Sequence, residues 1–431
     1  MSTASQRAGL SLDRLAHLDQ FFRTRYVETG KLPGVQMLVQ RRGELVFHTV
    51  MGLADREQNR PLAEDAIYRL YSMTKPITSV AMMMLVERGL VALDDPVHKF
   101  IPEWRDLGVF EMGGAPILEQ DAVGLFVTRP PPRPMQVVDL LRHTSGLTYG
   151  FQQRSMVDAA YRRLNIDTVD RPGTTEDMVR DLARVPLDFA PGTAWNYSAS
   201  ADVLGHLVWK ISGQPLDVFF GEHLFAPLGM TDTGFFVPPE KFSRFAPCYA
   251  LGPKGDVVVY ETPEKSVFRS KRSYLAGGGG LVGTASDYLR FCQMLANGGS
   301  LGSAQILSPK TVELMTRNHL PGGKDIPSST NGSYTEAAMY NGVGFGLGFS
   351  VVLPVHEPLM PRSVGSFAWG GAASTFFWVD PAEELVCVFM AQLVPSNAYP
   401  IHAQMRELVY SAFIESNIWP QALRLRPQEA T

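Results

Sequence analysis

Two pairs of apolar runs, one near each end of the chain, do most to limit how it can fold. Near the start, Val35-Gln-Met-Leu-Val and Leu45-Val-Phe-His-Thr-Val flank Arg42-Gly43-Glu44, the spacing of a hairpin. Near the end, Ser366 to Trp369 is followed by Thr375-Phe-Phe-Trp-Val, a turn at Asp380-Pro381 and Leu385-Val-Cys-Val-Phe-Met. Leu10 to Tyr26 has the periodicity of an amphipathic helix, and Ile401 to Glu415 also reads as helical. Between them, Ile77 to Leu90, Val137 to Arg142, Thr175 to Arg184, Ala199 to Ile211, Leu216 to Phe225 and Ser286 to Leu295 read as helices. The pattern predicts an α/β architecture, with one antiparallel sheet assembled from both ends and a mostly helical insertion.

Two loops interrupt this pattern. Thr128 to Pro134 carries four prolines and is expected to lie extended across the surface. Leu320 to Asn341 is rich in Gly, Ser, Thr and Pro and reads as a surface excursion that could rim a site.

At 431 residues, 45% hydrophobic and 19% charged, the chain can bury a substantial core. A net charge of -4, without long basic runs, argues against nucleic acid or an anionic membrane as partner. Cys248, Cys292 and Cys387 form no CxxC pair, and the histidines form no HExxH, so neither metal nor cofactor is expected. The N-terminus lacks a basic start followed by an apolar core, and no apolar run reaches the ~20 residues of a membrane span. A cytoplasmic location is the expectation; oligomeric state stays open.

The chemistry centres on Tyr71-Ser72-Met73-Thr74-Lys75. A three-residue offset at a helix start places a hydroxyl and an amine on one face. Serine needs a base to act as a nucleophile, and a lysine serves once burial and neighbouring positive charge make it neutral. Pro191-Gly192-Thr193-Ala194-Trp195-Asn196-Tyr197-Ser198 puts Tyr197 at a loop-to-helix junction, where its phenol could share the proton. In Trp369-Gly370-Gly371-Ala372, two glycines bare the backbone of a strand, as an oxyanion hole requires. Gly277 to Gly280 could cradle phosphate, but no Gly-Lys-Ser/Thr follows it. Gly298-Gly299-Ser300-Leu301-Gly302 matches a nucleophile elbow, yet it follows a helix rather than a strand. Met82, Met83 and Met84 read as core filling.

In this order, Ser-x-x-Lys, His143-Thr-Ser-Gly-Leu147, Pro-Gly-x-x-x-x-Tyr-Ser, the Gly-rich Ala276 to Thr284 and Trp-Gly-Gly, the chain resembles class C beta-lactamases and penicillin-binding proteins, and more closely family VIII carboxylesterases. The resemblance implies an α/β domain over 1–71 and 272–431, a helical domain over 72–271, and a site in the cleft. It implies Ser72 as nucleophile, Lys75 and Tyr197 as proton carriers, and the backbone N–H groups of Ser72 and Ala372 as the oxyanion hole. Trp369, Gly370 and Gly371, together with Tyr149, are assigned to substrate binding. Trp-Gly-Gly stands where the lactamase pattern has Lys-Thr-Gly, and Tyr197-Ser198-Ala199 where it has Tyr-x-Asn. Losing that cation and that amide favours uncharged, short- to medium-chain esters over penicillins, with room for weak beta-lactam hydrolysis. An acyltransferase, a D-amino-acid peptidase and a non-catalytic binding protein are the alternatives.

Overall fold

The computed structural model describes residues 6–111, 126–330, 340–354 and 361–418. Helix α1, Leu12–Phe22, starts at Ser11, whose hydroxyl caps the Arg14 N–H, and it buries Leu15, Leu18 and Phe22. Eight strands follow in one antiparallel sheet: β1 (Gly34–Arg41), β2 (Glu44–Asp55), β3 (Arg60–Pro61), β4 (Val343–Phe345), β5 (Ser350–Val352), β6 (Phe367–Gly371), β7 (Thr375–Asp380) and β8 (Leu385–Met390). Their spatial order is β4-β5-β6-β7-β8-β1-β2-β3. The C-terminal strand β8 therefore pairs with the N-terminal β1, from Leu385 opposite Arg41 to Met390 opposite Gln36. The first hairpin closes through Arg42 and Gly43, at φ +50° and +76°, the left-handed pair that a tight two-residue turn demands.

β8 is buried on both faces because helices cover both. Leu385, Cys387 and Phe389 face α1 and the last helix, α6 (Ile401–Ser411); Val386, Val388 and Met390 face the other core. On that second face lies α5 (Ala285–Ala296), and beyond it α2 (Thr74–Glu87), α3 (Val137–Leu141) and α4 (Ser200–Ser212). Thr74 to Leu85 of α2 are buried throughout, so this helix runs through the core rather than along its surface. Met82, Met83 and Met84 lie in that core.

This is the α/β architecture expected from the sequence. The structure adds β4 and β5, helices Met156–Arg163 and Pro309–Met315, and a small sheet of Cys248–Leu251, Val257–Glu261 and Leu393–Val394. Thr128 and Arg129 pair with Val109–Phe110, and the prolines beyond them run along the surface without regular structure. The Leu320–Asn341 excursion is described at both ends; residues 331–339 lie outside the described residues. Among the described residues no helix is long and apolar enough to cross a membrane.

Candidate active site

Ser72 owes its place to a short strand and a strained turn. Tyr68–Arg69 pairs with Val282–Gly283, and Leu70 N–H donates to the Leu281 carbonyl at 3.0 Å. Tyr71 then takes φ +44°, a left-handed conformation unfavourable for an aromatic residue, and swings the chain into the single turn Tyr71–Met73 that leads into α2. His143, at φ +57°, is a second left-handed residue beside the site.

The Ser72 hydroxyl meets both expected partners. Tyr197 Oη donates to Ser72 Oγ at 2.6 Å, and Lys75 Nζ lies 3.2 Å from the same oxygen. Lys75 is 3% exposed and Tyr197 9% exposed, while Ser72 is half-buried, so the hydroxyl has two buried partners and keeps an open side. The amine also donates to the Gly278 carbonyl at 2.7 Å and stands over the rings of Tyr197 and Tyr149, 4.6 and 5.3 Å from their centroids. Burial pulls its pKa down to about 7, against the opposing pull of the Asp202 charge. A lysine whose pKa is lowered in this way can serve as a base near neutral pH.

Tyr197 is fixed by its neighbours in the loop before α4. Asn196 N–H donates to the His143 carbonyl at 2.9 Å, and its side-chain amide to the Leu147 carbonyl at 3.2 Å. Gln152 Nε2 donates to the Tyr197 carbonyl at 2.7 Å. The His143–Leu147 segment thus acts as a bracket for the phenol.

The end of β6 packs against the turn that carries Ser72. A Cβ on Gly371 would overlap the Leu70 carbonyl, so bare backbone is required for this approach. Ala372 follows, exposed, immediately after the strand. The Trp369 ring lies 5.4 Å from Tyr197 and 5.3 Å from Phe345, and its Nε1 is buried without a hydrogen-bond partner among the described residues. Tyr149 sits edge-on to Tyr197 at 5.2 Å. Tyr340, at the end of the long excursion, stacks over Trp369 at 6.3 Å. Aromatic rings are consequently packed around the Tyr197 phenol that meets the hydroxyl.

Ser72, Lys75, Tyr197, Tyr149 and Trp369 to Gly371 are therefore gathered in one place. Ser300 has a different setting: α5 ends at Ala296, Gly298 and Gly299 turn at φ +71° and +103°, and Ser300–Leu301 pairs with Ala304–Gln305. No strand leads into it and no helix begins at it. Sequence reasoning missed Asp202, Tyr274 and the Gly278 carbonyl. The Gly-rich Ala276 to Thr284 carries the one available signal: without giving a role to the Gly278 carbonyl, it enters the family resemblance, and its reading as a phosphate cradle is set aside. In the structure it is laced along α2, where Thr78 Oγ1 donates to the Gly277 carbonyl at 2.7 Å and Thr74 Oγ1 accepts from Leu281 N–H at 3.1 Å.

Comparison with known proteins places most of the chain among relatives of one family and fold. The esterase EstB of Burkholderia gladioli is 33% identical to the chain, over 92% of it and 95% of EstB. The solved structure of EstCE1, described as a hydrolase with promiscuous acyltransferase activity, superposes with a TM-score of 0.74 at 27% identity, covering 92% of this chain and 99% of that one. A LovD6 mutant of simvastatin synthase from Aspergillus terreus superposes with a TM-score of 0.74 at 26% identity, covering 97% and 100%. The beta-lactamase family model aligns with residues 18–411. That span runs from within α1 to the end of α6, through every segment that contributes to the cluster around Ser72, and the chain belongs to the beta-lactamase family.

Proposed function

We propose that this protein is a serine carboxylesterase of the family VIII kind, hydrolysing uncharged short- to medium-chain esters through an acyl-enzyme on Ser72. The observation that carries the reading is the placement of one hydroxyl between the Tyr197 phenol at 2.6 Å and the Lys75 amine at 3.2 Å. In acylation, Ser72 Oγ attacks the ester carbonyl carbon while its proton passes to the Lys75–Tyr197 pair, with neutral Lys75 as acceptor. The backbone N–H groups of Ser72 and Ala372 receive the oxyanion. As the tetrahedral intermediate collapses, the pair returns the proton to the departing alcohol. Water then attacks the acyl-enzyme with the same pair as base, releasing the carboxylic acid and restoring Ser72.

The walls support an ester rather than a penicillin. Trp369, Tyr149 and Phe345 offer apolar faces, and no lysine occupies the Trp369 position to draw a carboxylate. A second reading, acyl transfer to an alcohol, draws support from EstCE1, whose description includes acyltransferase activity. It uses the same acyl-enzyme, with an acceptor alcohol in place of water.

The test is a series of p-nitrophenyl esters of graded acyl length, run beside nitrocefin with wild type and Ser72→Ala. Turnover that peaks at short to medium chains, exceeds nitrocefin turnover and vanishes in Ser72→Ala is the expected result. Unchanged turnover in Ser72→Ala would sink the reading. Dominant transfer to added alcohol at modest concentration would give the second reading precedence.

A further inference from the structure

Behind the nucleophile lies a carboxylate that this reaction scheme leaves idle. Asp202, in the first turn of α4, is 4% exposed. It accepts from Gly278 N–H at 2.9 Å, and the carbonyl of that same glycine accepts from Lys75 Nζ at 2.7 Å. Tyr274 adds a side-chain hydrogen bond to it. A Cβ on Gly278 would fall 2.5 Å from an Asp202 oxygen, so glycine and carboxylate fit only as a pair.

The fold itself gains little from this arrangement. The Lys75 charge acts on Asp202, but its amine is held by Ser72 and the Gly278 carbonyl rather than by the carboxylate, and a buried carboxylate without a directly bonded cation is destabilising. Asparagine would satisfy Gly278 without the charge. The titratable groups facing Asp202 are Lys75, Tyr149, Tyr274 and Asp167; those facing Lys75 are Asp202, His143, Tyr149 and Tyr197. Burial and the Lys75 charge hold His143 below its usual range, so Lys75 is the cation of the group. Burial raises the Asp202 pKa and the Lys75 charge opposes that rise, so an ammonium formed on Lys75 during the reaction is what favours the charged carboxylate, a pattern of stability given up for function.

We infer that Asp202 is a positioning residue of the proposed hydrolysis: it fixes the Gly278 peptide against which the Lys75 amine is held, and it supplies the negative charge that the ammonium needs once Ser72 has given up its proton. The inference rests on the serine-hydrolase reading above. Asp202→Asn keeps an oxygen for Gly278 N–H and removes the charge, which separates geometry from electrostatics.

Two rates are to be followed against pH for wild type and Asp202→Asn: turnover of p-nitrophenyl butyrate, and covalent labelling of Ser72 by a fluorophosphonate. In Asp202→Asn the step that reports Lys75 is expected to move to lower pH by about one unit in both profiles. The kcat plateau is expected to fall about tenfold or more, since a weaker base accepts the proton less readily, with KM within about twofold of wild type. Melting should occur at or above the wild-type temperature. Should the Asn variant fail to fold, Tyr274→Phe, which removes a hydrogen bond that favours the charged carboxylate, is expected to displace the same step in the same direction by a smaller amount. Labelling and turnover profiles that superimpose on those of wild type would overturn the inference. A wild type that labels at Ser72 yet turns over no ester would sink the esterase reading alone, because the labelling profile still reports on Asp202.

Discussion

Ser72 makes its shorter contact with a phenol and its longer one with an amine, and both partners come from the core rather than from solvent. Ser72→Ala is therefore expected to lower kcat for ester hydrolysis by ~10⁴-fold or more, while Ser300→Ala, in its hairpin beyond α5, leaves it near wild type. Steady-state kinetics on p-nitrophenyl butyrate decides both. Lys75 has a second consequence, in stability. Its pKa is about 7 in the fold against 10.5 for an ordinary lysine, so between those values the unfolded chain binds the extra proton. Stability should then rise with pH from 7 to 10, by at most ~1.4 kcal/mol per unit, and this contribution should be missing in Lys75→Met. Urea unfolding of both proteins at pH 7, 8 and 9 measures it; a stability difference that stays constant with pH would refute the lowered pKa. These residues were legible because Ser72 and Lys75 share one helical face and because Tyr197 stands at a turn marked by Pro191 and Gly192. Asp202 was not. It lies within a helix, and its meaning comes from a peptide 76 residues further on, a relation that no local spacing encodes.

Among the elements, hairpins were the easiest to read and short strands the hardest. β1 with β2 and β7 with β8 announce themselves through continuous apolar runs joined by compatible turns, and tertiary packing only confirmed their register. β4 and β5 span only Val343–Phe345 and Ser350–Val352, amid glycines, and exist because β6 offers them an edge. Helix α2 shows no clear polar face because its first three turns are buried, so its apolar run marked a helix without saying where it lies. Helix α5 is different: Thr284 caps it by accepting from Asp287 N–H at 3.2 Å, and the helix packs directly on the sheet. Thr284→Ala should cost about 1 kcal/mol of stability, read as a lower urea midpoint, while kcat for p-nitrophenyl butyrate changes less than about twofold. A larger loss of activity than of stability would mean that the cap also governs the glycine run preceding it.

Across the whole molecule, the sheet depends on segments from opposite ends of the sequence. Arg41 at the end of β1 reaches Glu383, in the turn between β7 and β8, with Nη2 to Oε2 at 2.8 Å and both side chains essentially sealed from water. Removing one partner strands the other's charge, so Glu383→Ala should destabilise by about 3–5 kcal/mol and, being buried, should do so equally at low and high salt. Chemical unfolding at two ionic strengths tests this, and a loss that fades with added salt would contradict the buried pairing. The same closure is visible where α1 begins and α6 ends, since Ser11 N–H donates to the Ala412 carbonyl at 2.8 Å. A chain stitched together at that seam could be reopened elsewhere, for instance at the exposed Lys254–Gly255 turn, and still thread the same architecture. Such a rewired polypeptide would keep its catalytic pocket intact while its synthesis began in the middle of the native sequence.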